Sequence, residues 1–162
     1  MSHSVDNFIR LLKDPFRSRL FLFFKLPSAF FAGVRIQSID EHSCSVKVPY
    51  KWFSKNPFRS TYFACLSMAA EMSSGALAIA HTHQRKPAVS MLVVQMEGSF
   101  MKKATGITTF TCRDGGAIKQ AVEEAVSSGE PRTVQVLSAG FNAAGEEVAR
   151  FQFSWSFKQK TI

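Results

Sequence analysis

A chain of 162 residues fits one domain with a sizeable core and would be cramped as two. Its 46% hydrophobic and 20% charged residues, without a low-complexity tract, exclude a disordered chain. The formal net charge of +8 permits nucleic acid, acidic lipid or a phosphorylated small molecule as partner, but there is no zinc-finger spacing and no strand of interleaved basic and aromatic residues, so nucleic acid is not expected.

Residues 1–33 read as a helical extension, with helices over 5–13 and 15–25 ahead of Pro27. Within FRSRLFLFFKLPSAFFAG, residues 16–33, the uninterrupted apolar run is only Leu20 to Phe24, with Arg17, Arg19 and Lys25 around it. A secretory core needs about 7 to 15 apolar residues and a spanning helix about 20, so this is neither. The favoured reading is a helix packing its Phe/Leu face on the domain; a basic amphipathic helix lying on a membrane surface is the alternative.

The core then runs over 34–158. Residues 34–39 and CSVKVPY, 44–50, are strand-like, since Cys44, Val46, Val48 and Tyr50 alternate with Ser45, Lys47 and Pro49. The loop KWFSKNPFR leads into a helix over 60–80, which Ser60 or Thr61 can cap. His81, His83, Arg85 and Lys86 oppose the negative end of its dipole before Pro87. AVSMLVVQMEG and SFMKKATGITTFTCR are β-rich, Asp114-Gly115-Gly116 signals a turn, and 117–128 is an amphipathic helix closed by Gly129 and Pro131. Strands over 133–142 and 147–158 follow. In the second, Ala149, Phe151, Phe153, Trp155 and Phe157 point one way and polar neighbours the other, as in an antiparallel strand with one buried face. With no βαβ alternation and no repeat, the chain is a single α+β domain, 1–162.

Cys44, Cys65 and Cys112 are widely spaced and show no CxxC, so they read as buried thiols of a reducing compartment, the cytoplasm. No metal site is expected: His81 and His83 sit two apart and point to different sides of a helix. RDGGAIK lacks the Gly-Lys-Ser/Thr of a phosphate loop, and no G-x-S-x-G is present. The 16 phenylalanines suit either an aromatic core or an apolar ligand tunnel.

The helix STYFACLSMAAEMSSGALAIA is apolar all round. Leu66, Ala69, Ala70, Ser73 and Leu77 form one stripe, while Met68, Met72, Gly75, Ala78 and Ile79 stand opposite. Such a helix is buried, and its small residues let a sheet wrap closely along its length of about 30 Å. It carries one charge, Glu71, with Ser67, Met68, Ser74 and Gly75 one turn away. A carboxylate there must be paired, hydrogen-bonded or raised in pKa, because ionising it uncompensated costs several kcal/mol. A raised pKa in a cleft suits a general base; pairing with an arginine across a subunit interface, or simple exposure, is the structural alternative.

From Asn56 onward, NPFRSTYFACLSMAAE resembles the motif that leads into the helix of hotdog-fold thioesterases of the phenylacetate-pathway type. There Asn, a Gly-rich turn, His-Gly-Gly and Leu-Ala-Asp/Glu recur at fixed spacing. Asn56 stands at the Asn, Tyr62, Phe63 and Ala64 at the His-Gly-Gly, and Ala70-Glu71 at the Ala-Asp/Glu, without a gap. FMKKATG, 100–106, is similar to the aromatic-x-Arg-Pro-Ala segment that follows, with Lys102 for Arg and Lys103 for Pro. The order of elements agrees over about 34–158, and the helix at 117–128 and the long N-terminal lead most resemble the subgroup called DUF4442.

The resemblance implies a hotdog fold, an antiparallel sheet wrapped around a central helix, here with extra N-terminal helices. It implies a homodimer or a dimer of dimers, with acyl-CoA as substrate entering at the subunit interface and no further cofactor. Glu71 would be the base that activates water, or the nucleophile itself, and the N–H of Phe63 the oxyanion donor. Asn56 would orient the water or the loop. Tyr62, Ala64 and Arg59 would adjoin the substrate, with Lys102, Lys103, Arg85 and Arg113 as contacts for the CoA phosphates. The departures are Tyr62 for His, Phe63 and Ala64 for the two glycines, and Pro57 and Arg59 for Gly in the approach. A phenylalanine at the oxyanion position keeps the N–H but crowds the carbonyl. A non-catalytic acyl or acyl-CoA binding protein is therefore the alternative function. Hydration or dehydration would want a His beside the carboxylate, and His3, His42, His81 and His83 all lie elsewhere.

Overall fold

The alternating apolar stripe of the last strand becomes one wall of the core in the computed structural model, which describes residues 2–160. Helices α1 (Ser2–Lys13), α2 (Pro15–Lys25) and α3 (Pro27–Phe31) precede β1 (Arg35–Ile39) and β2 (Cys44–Val48). A 3-10 turn, Trp52–Ser54, leads to α4 (Phe63–Thr82), then β3 (Val89–Phe100), β4 (Thr108–Cys112), α5 (Gly115–Ser128), β5 (Arg132–Phe141) and β6 (Glu147–Gln159). The six strands form one sheet in the order β1-β2-β4-β5-β6-β3, with every neighbouring pair antiparallel. This is the α+β hotdog arrangement, with α4 in the curl of the sheet.

The curl is built from residue choices. On β6, Phe151, Phe153, Trp155 and Phe157 all face the core and are buried. Gly140 on β5 has no side chain because the Phe110 ring of β4 occupies that space. Register shifts at Gln37, Val94 and the end of β5 bend the ladder further. α4 sits against this surface with Leu66, Ala69, Ala70, Ser73 and Leu77 buried, together with Met72, Gly75 and Ala78 of its other side. By length and apolar composition α4 could cross a membrane, yet it is the core helix, mostly enclosed by the fold. Cys44 and Cys112 face each other across β2 and β4, and burial pushes the Cys112 thiol up to about 12. All three cysteines are free and buried.

The structure corrects the sequence reading in five places. Pro27 opens a short helix, α3, that the sequence reading did not include between 25 and 34, since proline is favoured at the first helical position. α4 starts at Phe63, and neither Ser60 nor Thr61 caps it: Ser60 is tied to Asn56, and Thr61 to the carbonyl of Ala104. Gly115 and Gly116 form the first turn of α5, and Gly115 lies so close to Glu41 that a side chain there would strike its carbonyl. His81 does not serve as a helix-end charge. It is buried, its Nε2 lies 3.2 Å from the carbonyl oxygen of Glu41, and burial lowers its pKa.

The fifth correction concerns α2. Its Phe/Leu face is expected to pack on the domain, and Phe21 and Leu22 do so, but the rest of its large apolar side chains are turned outward. Phe16 is 77% exposed and Phe24 68%, with Leu20 and Phe23 beside them, while Leu22 and Ser18 face the core. The side chain of His3 lies outside the described residues.

Candidate functional site

Glu71 lies in the middle of α4, half-buried, with its pKa raised above the ordinary carboxyl value by desolvation. Among the described residues, no hydrogen bond or ion pair reaches its carboxylate. Its backbone is held firmly instead. Trp155 Nε1 on β6 donates to Ser74 Oγ at 3.0 Å, and that hydroxyl donates to the Glu71 carbonyl, also at 3.0 Å. The carboxylate rests over Gly75: a methyl group there would stand 2.7 Å from Glu71 Oε1. A mid-helix glycine costs about 1 kcal/mol against alanine, so the space for the carboxylate is kept at the expense of helix stability.

The cavity beside Glu71 has a volume of about 110 Å³ and is almost wholly apolar. Its outer wall comes from the N-terminal extension, through Phe8 and Leu12 of α1 and Phe21, Leu22 and Leu26 near α2. This wall explains the raised pKa. Hydrocarbon on one side and a glycine on the other supply no donor for the charged form.

The loop before α4 is built differently. Asn56 Oδ1 accepts from the N–H of Phe58 at 3.0 Å and of Ser60 at 3.2 Å, while Asn56 Nδ2 donates to Ser60 Oγ at 3.1 Å. Asn56 thus staples the loop, and its polar atoms are engaged in doing so. The loop delivers Tyr62 as the first residue before α4, in extended backbone and without a side-chain cap. The N–H groups of the first helical turn, Phe63 and Ala64 among them, therefore point out of the helix end with its partial positive charge.

These residues border an open groove of about 590 Å³, lined by Asn56, Phe58, Tyr62, Phe63, Lys102 and Lys103. Glu71 does not line it. Eight residues along an α-helix correspond to about 12 Å, so the Phe63 N–H and the Glu71 carboxylate of one chain belong to two separate cavities.

Residues 17–157 match the family DUF4442, a domain of unknown function. The chain belongs to this family. No curated protein matches it significantly. Among solved structures, a protein of unknown function from Pseudomonas aeruginosa, described as a probable thioesterase, is 20% identical, with a TM-score of 0.76 over 91% of this chain and 97% of that one. A protein of unknown function from Chlorobaculum tepidum is 16% identical, with a TM-score of 0.75 over 90% and 97%. A thioesterase from Haemophilus influenzae is 8% identical, with a TM-score of 0.58 over 86% and 88%. At these identities the likeness extends to the hotdog fold.

Within this DUF4442 domain, Lys102 is engaged by an ion pair with Glu146, whereas Lys103 takes part in none of the ion pairs among the described residues. Arg59 is exposed outside the groove lining, and Ala64 is half-buried and also outside it. Arg59 has φ +59°, the left-handed conformation that a glycine would adopt without strain, at one of the positions where Gly was expected. Sequence reasoning missed the two features that frame the carboxylate. Gly75 was visible as the i+4 neighbour of Glu71, but the wall from α1 and α2 had no local signal, because it is made by residues more than 40 positions away.

Proposed function

We propose that this protein hydrolyses acyl-CoA thioesters as a homodimer, with Glu71 as general base or nucleophile. The observation that carries this reading is the carboxylate without a partner beside an apolar cavity. A structural glutamate would be paired, whereas a base must be bare and desolvated. The 12 Å gap along α4 supports a composite site, in which the Phe63 N–H of one copy faces the Glu71 of the other. An unpaired edge supports the same assembly. β3 ends the sheet and exposes Leu92, Val94 and Met96, a long apolar edge that invites a second copy. Lys103 and the first turn of α4 supply positive charge for a polyanionic CoA, and Asn56 acts by shaping the loop. The neighbours described as thioesterases support hydrolysis, and the free buried cysteines support a reducing compartment such as the cytoplasm.

One observation favours the second reading, acyl binding without turnover. The Phe63 ring is exposed and packs edge-on against Tyr62 at 4.9 Å, beside the amide that would hold the oxyanion. The deciding experiment is thiol release from a chain-length series of acyl-CoAs, comparing wild type with Glu71→Gln and confirming that both are folded. Turnover by the wild type alone upholds catalysis by Glu71. Thermal protection by acyl-CoA without thiol release from either protein upholds the binding reading.

A further inference from the structure

The outward face of α2 is continuous with a larger aromatic surface. Phe23 packs against Phe24 at 5.1 Å and against Phe31 at 6.4 Å, Phe31 against Phe53 at 5.9 Å, and Phe53 against Trp52 at 6.0 Å. These rings come from α2, α3 and the 3-10 turn, and Trp52 at its far end is 77% exposed. Isolated exposed apolar side chains are ordinary; a contiguous aromatic patch on one face marks a surface that is covered in use.

The charge around the patch is mostly positive, with Asp14 at the start of α2 paired to Arg17. Residues 15–39 and 44–70 contain no Asp or Glu. The first stretch holds Arg17, Arg19, Lys25 and Arg35, and the second Lys47, Lys51, Lys55 and Arg59. Together they match the whole formal net charge of +8, so the rest of the chain is neutral. Arg35 and Lys47 are directly opposed across β1 and β2, a like-charge pair that costs stability. They share a cleft of about 180 Å³ with Lys51, the residue before Trp52. None of the ion pairs among the described residues engages any of the three.

We propose that this aromatic face and its basic rim dock the protein on an anionic phospholipid bilayer, with Phe16, Phe24, Phe31 and Trp52 entering the headgroup layer and Arg35, Lys47 and Lys51 receiving a lipid phosphate. Exposed aromatics flanked by Lys and Arg are the composition of an interfacial anchor, and tryptophan is favoured at that depth. A second copy of the chain is the weaker occupant. The long bare edge β3 lies at the end of the sheet opposite β1, so edge pairing there leaves this face open. Nucleic acid would use the cations but gives no role to the buttressed phenylalanines.

The test uses the intact chain and vesicles of phosphatidylcholine alone or mixed in equal parts with phosphatidylglycerol. The sequence has two tryptophans, and Trp155 is already buried, so a shift of emission to shorter wavelength on vesicle addition reports Trp52. The expected result is flotation with the mixed vesicles only, with a blue shift. Phe24→Ser combined with Trp52→Ser should abolish flotation, while Arg35→Glu or Lys51→Glu should weaken partitioning at least about fivefold each, roughly the effect of one cation near the surface. These positions are exposed, and an unchanged thermal melt confirms the fold. Hydrolysis of dissolved acyl-CoA, if present, should not change, which separates this proposal from the catalytic one. The proposal is overturned if the protein does not float, if the double aromatic variant floats as wild type does, if that variant instead lowers the oligomeric state by light scattering, or if a single-stranded oligonucleotide is bound through these cations while vesicles are not.

Discussion

The two ends of the Glu71–Phe63 segment are stabilised in opposite ways. At the start of α4, Asn56 and Ser60 bond each other and the loop backbone, and Thr61 is tied to Ala104, so these three polar side chains serve the shape of the chain. Two turns further on, the Glu71 side chain has no polar partner among the described residues, while hydrocarbon and a glycine adjoin it. In the proposed site the first region would contribute a backbone N–H, which requires no particular side chain at Tyr62, Phe63 or Ala64, and the second would contribute the carboxylate of Glu71 itself. If the proposed chemistry holds, side-chain identity is what counts at Glu71, and backbone conformation is what counts at the loop.

The largest effect should come from Glu71→Gln, with thioester hydrolysis falling at least about 100-fold, read by thiol release. Its pH dependence has a definite sign. The folded-state pKa of Glu71 is raised, so wild-type activity should increase with pH as the carboxyl ionises, and wild-type stability should decline as pH rises from the ordinary carboxyl value through the folded one. Glu71→Gln should therefore melt higher than wild type at neutral pH and equally with it in acid.

Phe63→Pro should be comparable, with a loss of about 100-fold or more, because it removes the amide donor. Proline is accepted at the first helical position, and Tyr62 already has the extended ψ of 134° that a following proline needs, so the helix should survive. Refolding the Glu71→Gln and Phe63→Pro proteins together provides the sharpest test. If the site is composite, mixed dimers regain one intact site and part of the activity. No recovery would mean that one chain holds both parts.

A smaller effect is expected at Asn56. Asn56→Ala should destabilise the protein by about 1–2 kcal/mol in chemical unfolding, through lost loop hydrogen bonds, and Asn56→Asp should recover part of this by keeping the acceptor. If Asn56→Ala instead leaves stability unchanged and removes turnover, the residue contacts the water and the loop role is wrong. The smallest effect is Arg59→Gly. It relieves a left-handed residue while loosening the unfolded chain, for a net gain of less than about 1 kcal/mol.

How much of this was legible in the sequence depended on the kind of signal. β6 was readable because strict alternation admits one interpretation, and α4 because no surface helix is apolar all round. The same all-round apolarity placed Glu71 in the middle of that helix, where it lies. What periodicity cannot convey is orientation relative to distant parts of the chain. α2 has an apolar stripe, but only its packing against β1 and α1 shows that Leu22 faces inward and Phe16 and Phe24 outward. The same limit hid the wall that α1 and α2 build beside Glu71. Local rules also competed: Ser60 and Thr61 read as caps, yet each has a stronger partner in the loop.

Gly75 has a practical consequence for anyone engineering this domain. A programme that selects for heat resistance, or that replaces helix glycines by alanine on principle, will choose this position early, because the gain in helix propensity is about 1 kcal/mol. The added methyl would fill the carboxylate's seat, 2.7 Å from Oε1, and force Glu71 to turn elsewhere. The product would be a sturdier scaffold with a displaced carboxylate, and a screen that scored only melting temperature would count it as an improvement.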